Sequence, residues 1–362
     1  MDVDGTTSLV TLTISAGSVF RFGANSRLAV GYYENLGALM VDGTAAAPVL
    51  FTAHADAPQP GHWWGIHVHS SVKAPSRISH ATIEYAGVEP SPDDPYFIGA
   101  GNLNILGSQG QESAFVVNDV IVQKSSHSGF VLVESGVFGT GSARLTSRDN
   151  GTYPITLEAD SIASVPPDAV FSGNAINAVE IKSGYASKTQ TWPQLSVPYL
   201  VTNPNLLVGT PKPFPATTLT IAPGTTIRFA PGTALWVGYG DRTGVLDARG
   251  TQAAPIRFIA DSAPAPRGYW RGLHFWNAKG SKLDYVTIAN GGDAIGSYYG
   301  TVGDGNVNVY TEIGAFVTNS TLSQAKGCAV TVSNQVTSNI LAGNTANDNG
   351  QNKQCLLKAA VE

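Results

Sequence analysis

The side chains best able to do chemistry in this chain crowd into one short run, GHWWGIHVH, at 61–69. His62, Trp63, Trp64, His67 and His69 fall there, in a chain with only 7 His and 6 Trp. In an extended segment alternate residues share a face, so His67 and His69 point outward when Ile66 and Val68 point into a core. Two outward imidazoles at i and i+2 could ligate a transition metal. With His62 and Trp64 beside them, the same face could instead stack sugar rings, because an aromatic ring offers a broad apolar surface.

A second copy of the run weakens the catalytic reading. Residues 11–69 align with 218–276 at a constant offset of 207, without a gap, and 24 of the 59 pairs are identical. GHWWGIHVH faces GYWRGLHFW, so Trp63 matches Trp270, Gly65 matches Gly272 and His67 matches His274. One catalytic centre cannot use both copies of a repeated wall element. The shared residues therefore read as structural, an indole closing a corner and a glycine permitting a tight approach. His62, Trp64 and His69 remain individual to the first copy, and the second offers His274 and Trp276 as its outward pair.

Two loops follow the matched region, VEPSPDDPYFIGAG at 88–101 and DAIGSYYGTVGDGN at 293–306. Loops held by a rigid scaffold often carry function. Tyr96, Tyr298 and Tyr299 add rings for a saccharide, and Asp93, Asp94 and Asp304 add oxygen ligands for calcium. Calcium takes six to eight oxygens, and neither loop has the EF-hand spacing or the nonapeptide of calcium β-rolls. Solvated loops are the plainer alternative, and no cofactor other than that calcium is expected.

Catalytic motifs are not evident. No nucleophile elbow, P-loop or H-E-x-x-H run occurs. A lyase would need a base beside a group that neutralises a uronate, and a glycoside hydrolase needs a pair of carboxylates. Neighbouring strands could bring Glu84 to His67 or His69, or Asp284 to His274, but the acids are thinly spread and no catalytic residue is assigned.

The elements that must position these residues are short strands. Charged residues make up only 13% of the chain, while Gly numbers 40 and Pro 21, a composition suited to many tight turns. Apolar residues come in alternating pairs: Leu12 and Ile14, Phe20 and Phe22, Leu28 and Val30, Val49 and Phe51, Ile66 and Val68. Period-two bursts separated by Gly, Pro, Asn and Thr read as strands and turns. No segment keeps a helical period for long, so helix should be minor. Strands this short fit the walls of a parallel β-helix, where each coil stacks on the one before. Asn150, Asn174, Asn177, Asn319, Asn344 and Asn349 fall at turns, where stacked amides can bond the backbone of neighbouring coils.

TLTIAPGTTIRF, GVLDARGTQAAPIRF, GYWRGLHF and VTIANGG, taken in order, resemble bacterial secreted and cell-surface proteins with right-handed parallel β-helix repeats. The segment FSGNAINAVEIKSG, followed by Trp192 and PYLVTNPNLLVG, resembles the connection such proteins place between units. The resemblance implies an all-β, single-stranded right-handed solenoid. The expected division is 1–205 for a first half and 206–362 for a second, forming one continuous solenoid. It also implies a bacterial extracellular or cell-surface location within a larger envelope protein, and the early entry into a strand suggests that a further coil or cap precedes it.

Other features limit the partners. A formal charge of −5 gives no basic stripe for nucleic acid. No apolar run is long enough to span a membrane, and the acidic start MDVDGTTSLV is not a signal peptide. Cys328 and Cys355 lie too far apart for a C-x-x-C motif; a disulfide between neighbouring coils is the preferred reading and two buried thiols the alternative. The function expected is a non-catalytic extracellular scaffold that binds a polysaccharide or surface glycan through exposed aromatic and His residues. A polysaccharide lyase or glycoside hydrolase is the alternative. The repeated pairs Tyr32/Tyr239 and His67/His274 favour the scaffold.

Overall fold

Alternating apolar residues form short strands throughout, and the sheets they build are parallel almost everywhere. The computed structural model describes residues 8–32, 35–73, 76–88, 99–108, 112–293 and 301–359. Among them the sole helical element is a single 3-10 segment, Ala159–Ser164, as expected from the lack of a helical period.

The chain separates into two compact units. Unit 1 comprises Met1–Glu180 with Leu195–Val197, and unit 2 comprises Ile181–Gln194 with Pro198–Glu362. Unit 1 begins with β1 (Val10–Ser15), β2 (Val19–Phe22) and β3 (Arg27–Val30), and the next strands, β4 (Gly37–Asp42), β5 (Val49–Ala53) and β6 (Gly65–Val68), pair with them in parallel and in the same order. Further strands continue each sheet, so residues distant in sequence form columns. Leu28, Ile66, Leu103, Phe130 and Ile155 make one such column by register.

Unit 2 repeats the arrangement with its own strands. Leu206, Leu235, Leu273, Val307 and Val330 stand in register on five successive parallel strands, and each is fully buried. Burying such columns supplies the main driving force, at roughly 25 cal/mol per Å² of apolar surface. Since each strand touches mainly its two neighbours, stability adds up locally along the stack.

Buried asparagines link successive levels, as the turn positions predict. Asn150 Oδ1 accepts the Ser125 amide at 3.0 Å, while its Nδ2 donates to Asn174 Oδ1 at 2.8 Å. Asn174 Nδ2 in turn donates to Asn177 Oδ1 and to the Ser147 carbonyl. In unit 2, Asn349 Oδ1 accepts Ala325 N at 2.9 Å, and Asn344 Oδ1 accepts Ser320 N at 2.9 Å. Asn319 differs, since its amide donates to the Asp284 carboxylate at 2.8 Å. Asn102 and Asn306, which the turn pattern does not single out, close the same networks by donating to Asn150 and Asn349.

Cys328 and Cys355 form a disulfide with Cα atoms 6.1 Å apart. It joins two adjacent parallel strands, Cys328–Val332 and Gln351–Leu356. No helix among the described residues is long and apolar enough to cross a membrane.

Candidate functional site

The repeated strand G-[IL]-H-[VF] positions the candidate residues in both units. Its first residue is forced: Gly65 has φ 103° and Gly272 φ 100°. A Cβ at Gly65 would lie 2.4 Å from the Gly101 carbonyl oxygen, and one at Gly272 would lie 2.6 Å from that of Gly305. Both positions need a residue without a Cβ. The shared indoles are buried packing residues. Trp63 stacks on Phe22 at 4.0 Å and donates Nε1–H to the Glu84 carbonyl, while Trp270 stacks on Phe229 at 4.0 Å and donates to that of Ala289.

His67 and His274 point away from the apolar columns, as alternation requires, yet both are buried. This corrects the expectation that they face solvent. Their Nε2 atoms lie 3.1 Å from the carbonyls of Trp64 and Arg271, respectively, and in His274, whose Nδ1 faces the Tyr310 hydroxyl, Nε2 carries the proton. Burial pulls both imidazoles down to about 3, against the opposing effect of that backbone bond. They are neutral wall residues at neutral pH. Side chains on the adjoining strands cover them: Asn104, the register partner of His67, lies 3.2 Å from its Nε2. In unit 2, Trp236 stacks on His274 at 4.1 Å and the Tyr310 hydroxyl reaches Nδ1 at 2.9 Å.

The outer surfaces of the two units then diverge. In unit 2, Trp236, Tyr239, Trp276 and Tyr310 are half-buried around His274. Tyr310 stacks on Trp276 at 4.9 Å and on Trp236 at 5.9 Å, each with ring planes within 23°. Tyr239 meets Trp236 edge-on at 4.9 Å and Trp276 edge-on at 6.2 Å. Trp236 Nε1 donates to Asn205 Oδ1 at 3.2 Å. The result is a continuous ring-bearing strip on one sheet. The aligned positions of unit 1 are Ala29, Tyr32, His69 and, by register, Leu106.

Unit 1 keeps only fragments of that strip. Tyr32 meets His69 edge-on at 5.0 Å, and the Arg27 guanidinium sits over the rings of Tyr32 and Trp64 at 5.6 and 5.2 Å. Burial and the nearby Arg27 charge lower His69 to about 4. A guanidinium beside both imidazoles opposes a metal cation there. His62 and Trp64 are half-buried.

The remaining candidates do not assemble with these. The Glu84 carboxylate accepts from Thr52 at 2.9 Å and from Gln123 at 2.7 Å. That of Asp284 accepts from Thr318 and Asn319. Asp304 is buried with its carboxylate against Gly327, and Asp293 pairs with Lys326 at 3.4 Å. Asp93, Asp94, Tyr96, Tyr298 and Tyr299 lie outside the described residues. Among the described residues, no three His, Cys, Asp or Glu side chains are grouped so as to hold a metal ion.

Trp236 and Tyr310 were not singled out from the sequence. Trp236 stands between inward Leu235 and Val237, so the alternation that marks His67 as outward also marks Trp236. Tyr310 carries no comparable local signal. No family model, curated protein or solved structure matches the chain.

Proposed function

We propose that each unit is a right-handed parallel β-helix and that the chain is a non-catalytic extracellular scaffold, bacterial in origin and part of a larger envelope protein. Its ligand is a polysaccharide or surface glycan, held on the unit 2 strip of Trp236, Tyr239, Trp276 and Tyr310. Handedness follows from the strong preference of parallel crossovers for the right hand. The observation that carries the ligand reading is that four aromatic side chains stay half-exposed on one outer sheet face, where unit 1 has Ala29, Tyr32, His69 and Leu106. Rings in a row offer apolar edges and faces to the C–H surfaces of pyranoses, and the sheet holds them without an ordering cost. The buried state of His67 and His274 removes the two imidazoles that an enzyme would most readily use as acid or base.

The test is retention on insoluble polysaccharides and a glycan array, alongside an assay for unsaturated or reducing-end products. Trp236→Ala with Trp276→Ala should lower retention at least about tenfold, corresponding to about 1.4 kcal/mol, with no product released by the parent. Equal retention by parent and variant would remove the strip as the site. Product release would replace the scaffold with the lyase or hydrolase alternative.

A further inference from the structure

The internal repeat supplies a template for the open edge of unit 1. Strands β1, β2 and β3 align with Thr217–Ile221, Thr226–Phe229 and Ala234–Val237 of unit 2, which carry much of the same sequence. In unit 2 those strands are covered by one preceding three-strand circuit, Gln190–Trp192, Tyr199–Val201 and Asn205–Val208, paired in parallel. Trp192, Tyr199, Val201, Leu206 and Val208 of that circuit are buried. Among the described residues of unit 1, β1, β2 and β3 stand first in their sheets.

The aligned leucines show the consequence. Leu12 and Leu219 occupy the same place in TLTI, yet Leu12 is 43% exposed and Leu219 is 0% exposed. Val10, 61% exposed where its aligned residue Thr217 is buried, extends the apolar edge. Native edges are usually blunted by polar or charged residues. The terminal strands of unit 2 largely follow that rule, with Thr345, Asn347, Gln351, Asn352 and Lys353 exposed, although Leu356 is also 64% exposed. That mainly polar edge is a poor complement to Val10 and Leu12, which argues against head-to-tail stacking of two copies.

We infer that the edge formed by β1, β2 and β3 is an acceptor for one further parallel three-strand circuit of the kind seen at 190–208, supplied by polypeptide on the N-terminal side of Val10. Its first strand would lie along β1, its second along β2 and its third along β3, with apolar side chains over Leu12, Phe20, Phe22, Leu28 and Val30. This acceptor role is independent of the ligand proposed for unit 2. Four amides report on it. In unit 2, Ala222, Ala230, Ala234 and Gly238 donate to the carbonyls of Trp192, Val201, Pro204 and Val208 of the covering circuit. Their aligned counterparts are Ser15, Gly23, Arg27 and Gly31.

The repeat offset dictates the experiment: residues 1–9 are replaced by a second copy of residues 181–216, so that Ala216 of the copy joins Val10. Hydrogen exchange at Ser15, Gly23, Arg27 and Gly31 should slow on the order of tenfold or more relative to the parent. The melting temperature should rise by at least about 4 °C. A control graft carrying Leu206→Asp and Val208→Asp in the copied segment should lose both gains. A folded graft with unchanged exchange at all four amides would overturn the inference. If the graft does not fold, the parent is titrated with a peptide of residues 181–216: protection of the same amides supports the acceptor, and none at saturating peptide overturns it.

Discussion

The Tyr310 hydroxyl lies 2.9 Å from Nδ1 of His274, whose Nε2 bonds the Arg271 carbonyl. Since Nε2 carries the proton, the hydroxyl donates and Nδ1 accepts, and both nitrogens of a buried imidazole are satisfied. Tyr310→Phe keeps the ring stack and deletes the donor. It should cost about 1–2 kcal/mol in urea unfolding, because the buried acceptor is left unpaired. A cost indistinguishable from zero would show that the hydroxyl is not engaged.

Acid should weaken the fold through the same histidines. Both have native values of about 3, lowered by burial, against 6.5 in the unfolded chain. The unfolded state therefore binds more protons below pH 6.5, so this contribution is intact above about 6.5 and is lost as pH falls toward 3. The slope approaches about 1.4 kcal/mol per pH unit for each histidine. His274→Gln should flatten the melting-temperature profile of its unit between pH 6.5 and 4, and an unchanged profile would refute the neutral assignment.

The two strand-entry glycines should not tolerate a methyl group. Gly65→Ala or Gly272→Ala places Cβ 2.4 or 2.6 Å from a backbone oxygen in a left-handed conformation. A loss of about 3 kcal/mol or more is expected, from strain and steric displacement together. Gly141 is the control: it also has a positive φ, but a Cβ placed on it would meet no atom within 4 Å. Its Ala variant should lose about 1–2 kcal/mol less.

The asparagine columns predict an asymmetry between units. Asn308 Oδ1 accepts from Thr331 Oγ1 at 2.5 Å and from the Gly305 amide at 3.1 Å. Asn104 holds the corresponding place, but Val131 stands where Thr331 would, and Asn104 Oδ1 is buried without a hydrogen-bond partner. Thr331→Val should therefore cost about 1–2 kcal/mol by denaturant unfolding. Val131→Thr, which supplies the missing donor, should cost less than about 0.5 kcal/mol, because the new hydroxyl is itself satisfied. A larger cost for Val131→Thr than for Thr331→Val would contradict this arrangement.

The disulfide closes a loop with a sequence separation of 27. Its removal in a Cys328→Ser/Cys355→Ser variant should lower unit 2 stability by about 3 kcal/mol through the unfolded chain. Hydrogen exchange in strands Cys328–Val332 and Gln351–Leu356 should report the loss first. Equal exchange with and without the bond would show that the strands hold unaided.

The amino-acid sequence by itself determined the local rules of this protein. Alternation marked Leu12/Ile14, Phe20/Phe22 and Ile66/Val68 as strand residues, the repeat marked Trp63 and Gly65 as wall pieces, and Asn150 and Asn349 were legible as linking turns. These depend on neighbours along the chain or on a comparison of two copies. Tertiary structure decided what happens at His67 and His274. Their outward direction follows from period two, but exposure depends on the residues at the same register on flanking strands, more than thirty positions away in sequence. Asn104 closes over one histidine; Trp236 and Tyr310 close over the other. The same physics moves the candidate ligand surface from His62, Trp64 and His69 to the strip of unit 2. Stacking strands sets side chains from distant residues about 5 Å apart, and only that stacking determines which rings are spent on each other and which remain open to solvent.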